Sequence, residues 1–159
     1  MYHTEYESPL GTLKLFSDGE AITGLYLPEQ KHIPEEKVFY DGLPVFCLAK
    51  NWLSRYFAGE KPTVDFPVKT AGTDFQHRVW ELLREIPYGK SVTYGELAGR
   101  IGPKMSPQAV GGAVGRNPVS IIIPCHRCLG AGNKLTGYAG GIKAKQYLLQ
   151  LEANSYDRK

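Results

Sequence analysis

The sequence predicts an α+β chain: a small β-rich unit over residues 1–72, then a mostly helical domain over residues 73–159 containing a helix-turn-helix. Three observations carry this. The opening residues alternate side-chain character between turn signals, the period of half-buried strands. Beyond residue 73 there are three helix starts in succession, two capping boxes and one N-cap followed by proline. Between the two regions, residues 61–72 hold two prolines and read as a boundary.

In the first region, Tyr2, Thr4 and Tyr6 alternate as a strand, and Ser8-Pro9-Leu10-Gly11 is a turn. A second strand is expected over residues 12–17. Asp18-Gly19 then turns the chain into a third over 21–26. Residues 28–44 read as loop. Val45, Leu48, Ala49, Trp52, Leu53 and Tyr56 recur at helical spacing over 45–57, and Ala58-Gly59 ends that helix. Cys47 is expected on its apolar face. Nothing here suggests chemistry, so the unit reads as a scaffold.

In the second region, Thr73-x-x-Gln76 opens a helix with Phe75, Val79, Leu82, Leu83 and Ile86 on its apolar side, closed by Ile86-Pro87-Tyr88-Gly89. Thr93-x-x-Glu96 opens the next, with Leu97, Ala98 and Ile101, and Gly102-Pro103 stops it. Ser106-Pro107 starts a third. Short helices joined by a tight glycine-containing turn resemble a helix-turn-helix. The third helix carries Gly111, Gly112 and Gly115, each costing about 1 kcal/mol relative to alanine in a helix interior. Either neighbouring helices pack closely there, or a narrow nucleic-acid groove must come near the backbone. In the last helix Ile142, Leu148, Leu149 and Leu151 are expected to form the apolar side, with Glu152 next to it.

Charge is unevenly spread around a net of +3. Residues 1–72 hold 7 Lys/Arg and 10 Asp/Glu, whereas residues 73–159 hold 12 and 6. A basic second half suits a polyanionic partner. The start lacks a basic and apolar leader pattern, and no apolar run reaches membrane-spanning length. Three cysteines do not make a secreted disulfide framework. A cytoplasmic protein with no membrane association is expected.

The stretch Ile121-Ile122-Ile123-Pro124-Cys125-His126-Arg127-Cys128 is the most informative. The β-branched run predicts a short buried strand that stops at Pro124, presenting Cys125 at its end. His126 beside it is expected to lower the thiol pKa and make a nucleophile. Cys125 as core filler is the bland alternative. Cys125 and Cys128 also form a C-x-x-C, which suggests thiol redox or zinc. Zinc lacks a second ligand pair, because Cys47, His3, His32 and His77 have no ligand spacing, so no metal is expected. Glu152 is a partner of the right kind for His126, giving a Cys–His–Glu relay; a solvated glutamate is the alternative.

The segment 123–127 resembles the active-site signature of the O6-alkylguanine-DNA alkyltransferases. The likeness extends through Ile86–Ala98, Ala109-Val110-Gly111-Gly112-Ala113, Asn117-Pro118, Gly137-Tyr138, Gly140-Gly141 and Leu148–Glu152, nearly all of residues 73–153. The first region matches loosely, as a ribonuclease-H-like scaffold would. The resemblance implies double-stranded DNA bound through the minor groove, O6-alkylguanine turned out of the stack, and irreversible transfer of the alkyl group to Cys125. O4-alkylthymine is a second candidate substrate. It implies His126 as base, Glu152 as its holder, Tyr94 as proton donor to the guanine, and Asn117 as brace of the active-site turn. Val114, Cys128, Tyr138 and Ala139 would line the pocket; Ser106, Gln108, Ala109, Gly111 and Gly112 would meet DNA. Arg127 would be structural. No cofactor is implied, and one chain would act alone and once. Two departures stand out: Gln108 replaces the arginine usual before Ala-Val-Gly-Gly, and Cys128 replaces a common valine. A lesion-binding protein without transfer activity is the competing reading, which the presence of Cys125 opposes.

Overall fold

The computed structural model describes residues 1–31, 33–35 and 38–156. The chain forms two compact units, Met1–Ala71 with Pro118–Ile122, and Gly72–Asn117 with Ile123–Lys159.

In the first unit, β1 (Tyr2–Ser8) and β2 (Gly11–Ser17) form an antiparallel hairpin. Gly11 closes it at φ 105, a conformation side chains resist; a Cβ there would also lie 3.0 Å from Pro28. β3 (Ile22–Tyr26) pairs with β2, and the sheet order is β3-β2-β1-β4. β4 (Val38–Phe39) is a two-residue parallel edge strand inside the expected loop. It owes its form to pairing with β1, which local propensity does not report. Residues 32, 36 and 37 of that loop lie outside the described residues. Helix α1 (Pro44–Phe57) packs on β1, β2 and β3 through Val45, Phe46, Ala49, Trp52, Leu53 and Tyr56. This corrects the expected stripe: Cys47 and Leu48 are exposed, and Phe46 is buried instead.

Pro118–Ile122 lies beyond the boundary the sequence suggests, yet clusters with this unit. Leu25 N–H donates to the Pro118 carbonyl, and Ser120 N–H returns a bond to Leu25. The expected strand over 121–123 is absent. Val119 makes one parallel bridge to Leu25, and the chain turns at Ile121 and Ile122. Ile121 has φ 72, a strained value for a β-branched residue. The run is apolar because it is buried, not because it is extended.

The second unit contains α2 (Asp74–Arg84), β5 (Val92–Thr93), α3 (Tyr94–Ile101), α4 (Pro107–Gly115), β6 (Cys128–Leu129) and α5 (Ile142–Tyr156). Both capping boxes form, at Thr73 and Thr93, and the Ser106 hydroxyl caps α4. α2, α3 and α4 pack on one another, and Trp80 Nε1 donates to the Ala113 carbonyl at 2.9 Å. The buried residues of α5 are Lys145, Leu148, Glu152 and Ser155. Ile142, expected on its apolar side, is exposed, and Leu149 and Leu151 are half-buried. This helix buries polar groups because each finds a partner inside. No described helix is long and apolar enough to cross a membrane.

Candidate functional site

Pro124 breaks the backbone pattern, and Cys125–Arg127 follows as one 3-10 turn. Cys125 N–H donates to the Ile123 carbonyl at 2.8 Å. That same carbonyl accepts from Asn117 Nδ2 at 2.8 Å, so a residue two positions past α4 grips the turn carrying the thiol. On the other side, β6 continues the turn and pairs with β5, Val92 to Cys128 and Thr93 to Leu129. Thr93 is the N-cap of α3, so this pairing sets Tyr94 beside the turn.

Cys125 is 3% exposed and lines a cavity of about 180 Å³. Tyr94, Asn117, Tyr138 and Ala139 line it too, as do Gly111, Val114 and Gly115 of α4. That space is below the roughly 300–1,000 Å³ of drug-sized ligand sites, a size for one small group. Cys128 is not at its wall, contrary to expectation: its side chain is fully buried below the turn.

His126 and Glu152 meet in the interior, Nε2 to Oε2 at 2.6 Å. Glu152 is 1% exposed and accepts three further bonds: from Arg127 Nε at 2.8 Å, Arg127 Nη2 at 3.1 Å and the Gly89 amide at 3.1 Å. Arg127 Nη1 also donates to the Ile86 carbonyl at 2.7 Å. The turn after α2, the Cys125–Arg127 turn and α5 are thus joined at one carboxylate. Burial works to raise Glu152, but the bonds and charges of His126 and Arg127 outweigh it and hold it at about 2. An ionised carboxylate only accepts, so His126 carries its proton on Nε2 and keeps Nδ1 as a base. Burial keeps the imidazole neutral by lowering its pKa, against the opposing pull of Glu152.

The Cys125 thiol departs from expectation. Burial pushes its pKa up, against hydrogen bonds from Asn117 and Tyr138 and the charge of Lys145. The resting group is a thiol, and a neighbouring histidine in sequence does not by itself make a thiolate. Burial pushes Cys128 up as well, to about 12. Burial likewise raises Tyr94, so its phenol stays protonated.

Lys145 is the residue that sequence reasoning missed. It is fully buried, donates from Nζ to the Cys128 carbonyl at 2.6 Å, and lies 6.0 Å from the Tyr94 ring centre. A signal existed: Lys145 is seven residues, two turns, before Glu152 on α5. Assigning charge to the solvent side hid it. Arg127, expected to be structural, fills that role electrostatically through its bonds to Glu152.

Ser106, Gln108, Ala109 and Gly112 share an exposed face of α4, and Gly111 is half-buried. A Cβ at Gly112 or Gly115 would meet nothing within 4 Å, and at Gly111 only Tyr94 at 3.9 Å. Packing inside the protein therefore does not require these glycines. Among the described residues, no group of three or more His, Cys, Asp or Glu is placed to hold a metal ion.

Comparison with known proteins gives one pattern over both regions. Residues 74–154 match the family model "6-O-methylguanine DNA methyltransferase, DNA binding domain", and residues 1–70 the model "6-O-methylguanine DNA methyltransferase, ribonuclease-like domain". A methylated-DNA–protein-cysteine methyltransferase of Haemophilus influenzae is 49% identical over 98% of this chain and 88% of its own length. One from Methanosarcina acetivorans is 43% identical over 97% and 99%. The structure of Mycobacterium tuberculosis OGT in complex with DNA superposes with a TM-score of 0.91, at 43% identity over 98% of this chain and 94% of that one.

Proposed function

This chain belongs to the 6-O-methylguanine DNA methyltransferase family and repairs methylated DNA by moving the methyl group onto one of its own cysteines; we propose that the acceptor is Cys125 and the substrate O6-alkylguanine turned out of a duplex bound by its minor groove. One observation carries the assignment: Cys125 alone of the three cysteines lines the cavity, and the next residue in the chain is the buried, Glu152-held His126.

The chemistry follows from the geometry. Binding of the base brings the alkyl carbon to the Cys125 sulfur. His126 Nδ1 takes the thiol proton through a bridging water, and Glu152 and Arg127 stabilise the resulting charge. Sulfur attacks carbon, the carbon–O6 bond breaks, and the thioether forms. Electrons retained by the guanine are met by a proton from the Tyr94 hydroxyl, which burial has kept in place. Asn117 holds the turn through the Ile123 carbonyl throughout. Carbon–sulfur bond formation is not reversed, so each molecule acts once.

The exposed, side-chain-poor face of α4 suits a narrow groove. Gly111 and Gly115 belong both to this helix and to the cavity wall, so the groove-facing helix and the pocket adjoin. Gln108 is exposed there and fills the gap left by the base, donating to and accepting from the orphaned partner. The pocket is lined by one unit of one chain, which supports action as a monomer.

The test is Cys125→Ser. It should abolish transfer while leaving duplex binding, because a hydroxyl is far less nucleophilic than a thiolate. Stoichiometric methylation of that variant would move the acceptor to Cys128 or Cys47.

A further inference from the structure

Cys128 does not line the cavity into which Cys125 opens. Its side chain is buried where an apolar residue would fill the same space, yet it lies one turn from the acceptor. The Cys125–Arg127 turn is closed by Cys128 N–H donating to the Cys125 carbonyl. A turn closed this way keeps its first and fourth Cα atoms within about 7 Å. A disulfide needs roughly 4.4–6.8 Å. Two further groups place the sulfurs in one neighbourhood: the Lys145 ammonium acts on both thiols, and both act on Tyr94. Cys125 opens on the cavity and Cys128 does not, so a small oxidant meets Cys125 first.

We propose that Cys128 is a resolving thiol: hydrogen peroxide oxidises Cys125, and Cys128 captures the product as an intramolecular disulfide that shelters the acceptor until a thiol reductant releases it. The proposal rests on Cys125 being the acceptor. In the first step the Cys125 sulfur attacks one peroxide oxygen and the O–O bond breaks. The departing hydroxide takes the thiol proton and leaves as water, and Cys125 becomes a sulfenic acid. In the second step the Cys128 sulfur attacks the Cys125 sulfur, the S–O bond breaks, and the hydroxyl leaves with the Cys128 proton as a second water. Two electrons have passed from the thiol pair to peroxide. Lacking a partner, the sulfenic acid would take a further oxygen and become a sulfinic acid, which thiols do not reverse.

Arg127 lies between the two cysteines, so trypsin reads the bridge directly. Full-length protein is treated with hydrogen peroxide, alkylated, and digested without reduction. The expected product is peptide 117–127 joined to peptide 128–134, two hydrogens lighter than the pair. Transfer to methylated duplex should fall in step with this species and return with dithiothreitol. In Cys128→Val, transfer should be lost without recovery and Cys125 should carry two added oxygens. Unlinked peptides in the parent, or Cys125 joined to Cys47 of another molecule, would overturn the proposal, as would equal recovery of parent and variant. The linked peptide in the parent decides even if the variant folds poorly. Mapping the methyl in untreated protein separates failure of the bridge from failure of the acceptor assignment.

Discussion

The turn carrying Cys125 and the helix α4 are made of opposite materials. Around the turn, charged and polar groups are buried and joined: Glu152 accepts four bonds, and Lys145 and Arg127 reach backbone carbonyls. On α4, three glycines and an uncharged Gln108 leave an outer face with little side chain, and two of the glycines face open space. The first region spends its polar groups on itself and is complete within the chain. The second forgoes helix propensity without an internal return, which is expected where the return comes from a partner. A reaction that proceeds once, in a fixed geometry, needs the first kind of construction. Entry of a helix into a narrow groove needs the second.

The contrast is broken most severely at Arg127. Arg127→Ala removes two of the donors to Glu152 and leaves a buried carboxylate short of its permanent positive partner. A loss of about 3–5 kcal/mol is expected in urea unfolding. Glu152→Gln keeps the shape and should slow transfer more than it weakens duplex binding. A parent-like rate across about pH 6–9 would remove His126 from the proton path.

Acid sharpens the same point. The Glu152 pKa is depressed in the folded state, from 4.5 to about 2, so its stabilisation is present above pH 4.5 and fades as pH falls toward 2. The size is about 3 kcal/mol at roughly 1.4 kcal/mol per unit. His126, also depressed, begins to cost stability just below its ordinary pKa of 6.5. Unfolding free energy measured against pH should therefore decline in that direction. A flat profile from pH 5 to pH 2.5 would contradict an ionised, partnered Glu152.

On α4 the expected effects are smaller and of opposite sign for folding and binding. Gly112→Ala should stabilise the fold by about 1 kcal/mol, since its Cβ meets nothing. The same methyl should weaken duplex binding. A variant both more stable and equally tight on DNA would show that the groove does not come near this backbone. Smallest is Gln108→Arg, which should tighten duplex binding, steepen its salt dependence and leave reaction with free O6-alkylguanine base nearly unchanged. Gln108→Ala reacting with duplex as fast as the parent would end the gap-filling role.

Helix starts were legible in the sequence because capping is local: Thr73, Thr93 and Ser106 each hold a backbone amide within three residues. The order of units was legible from turn and capping signals, and the buried His126–Glu152 contact from the place of Glu152 beside the apolar side of the last helix. What was hidden depends on distant partners. β4 exists by pairing with β1, and Pro118–Ile122 takes its form from Leu25. Lys145 is buried because the Cys128 carbonyl receives it; its helical spacing to Glu152 puts it on the inner face, but spacing alone does not supply the acceptor that an ammonium needs there. The thiol pKa was hidden for the same reason: adjacency in sequence says nothing about burial, and burial dominates at Cys125.

The central claim is that one buried thiol, opened to the cavity, is the acceptor. It is tested most directly by incubating the protein with a duplex containing O6-methylguanine and locating the added mass by peptide mapping. One methyl per molecule, confined to peptide 117–127 and to Cys125 within it, is the predicted result. Methyl on Cys128 or Cys47, or tight binding with no methyl gained, would contradict it.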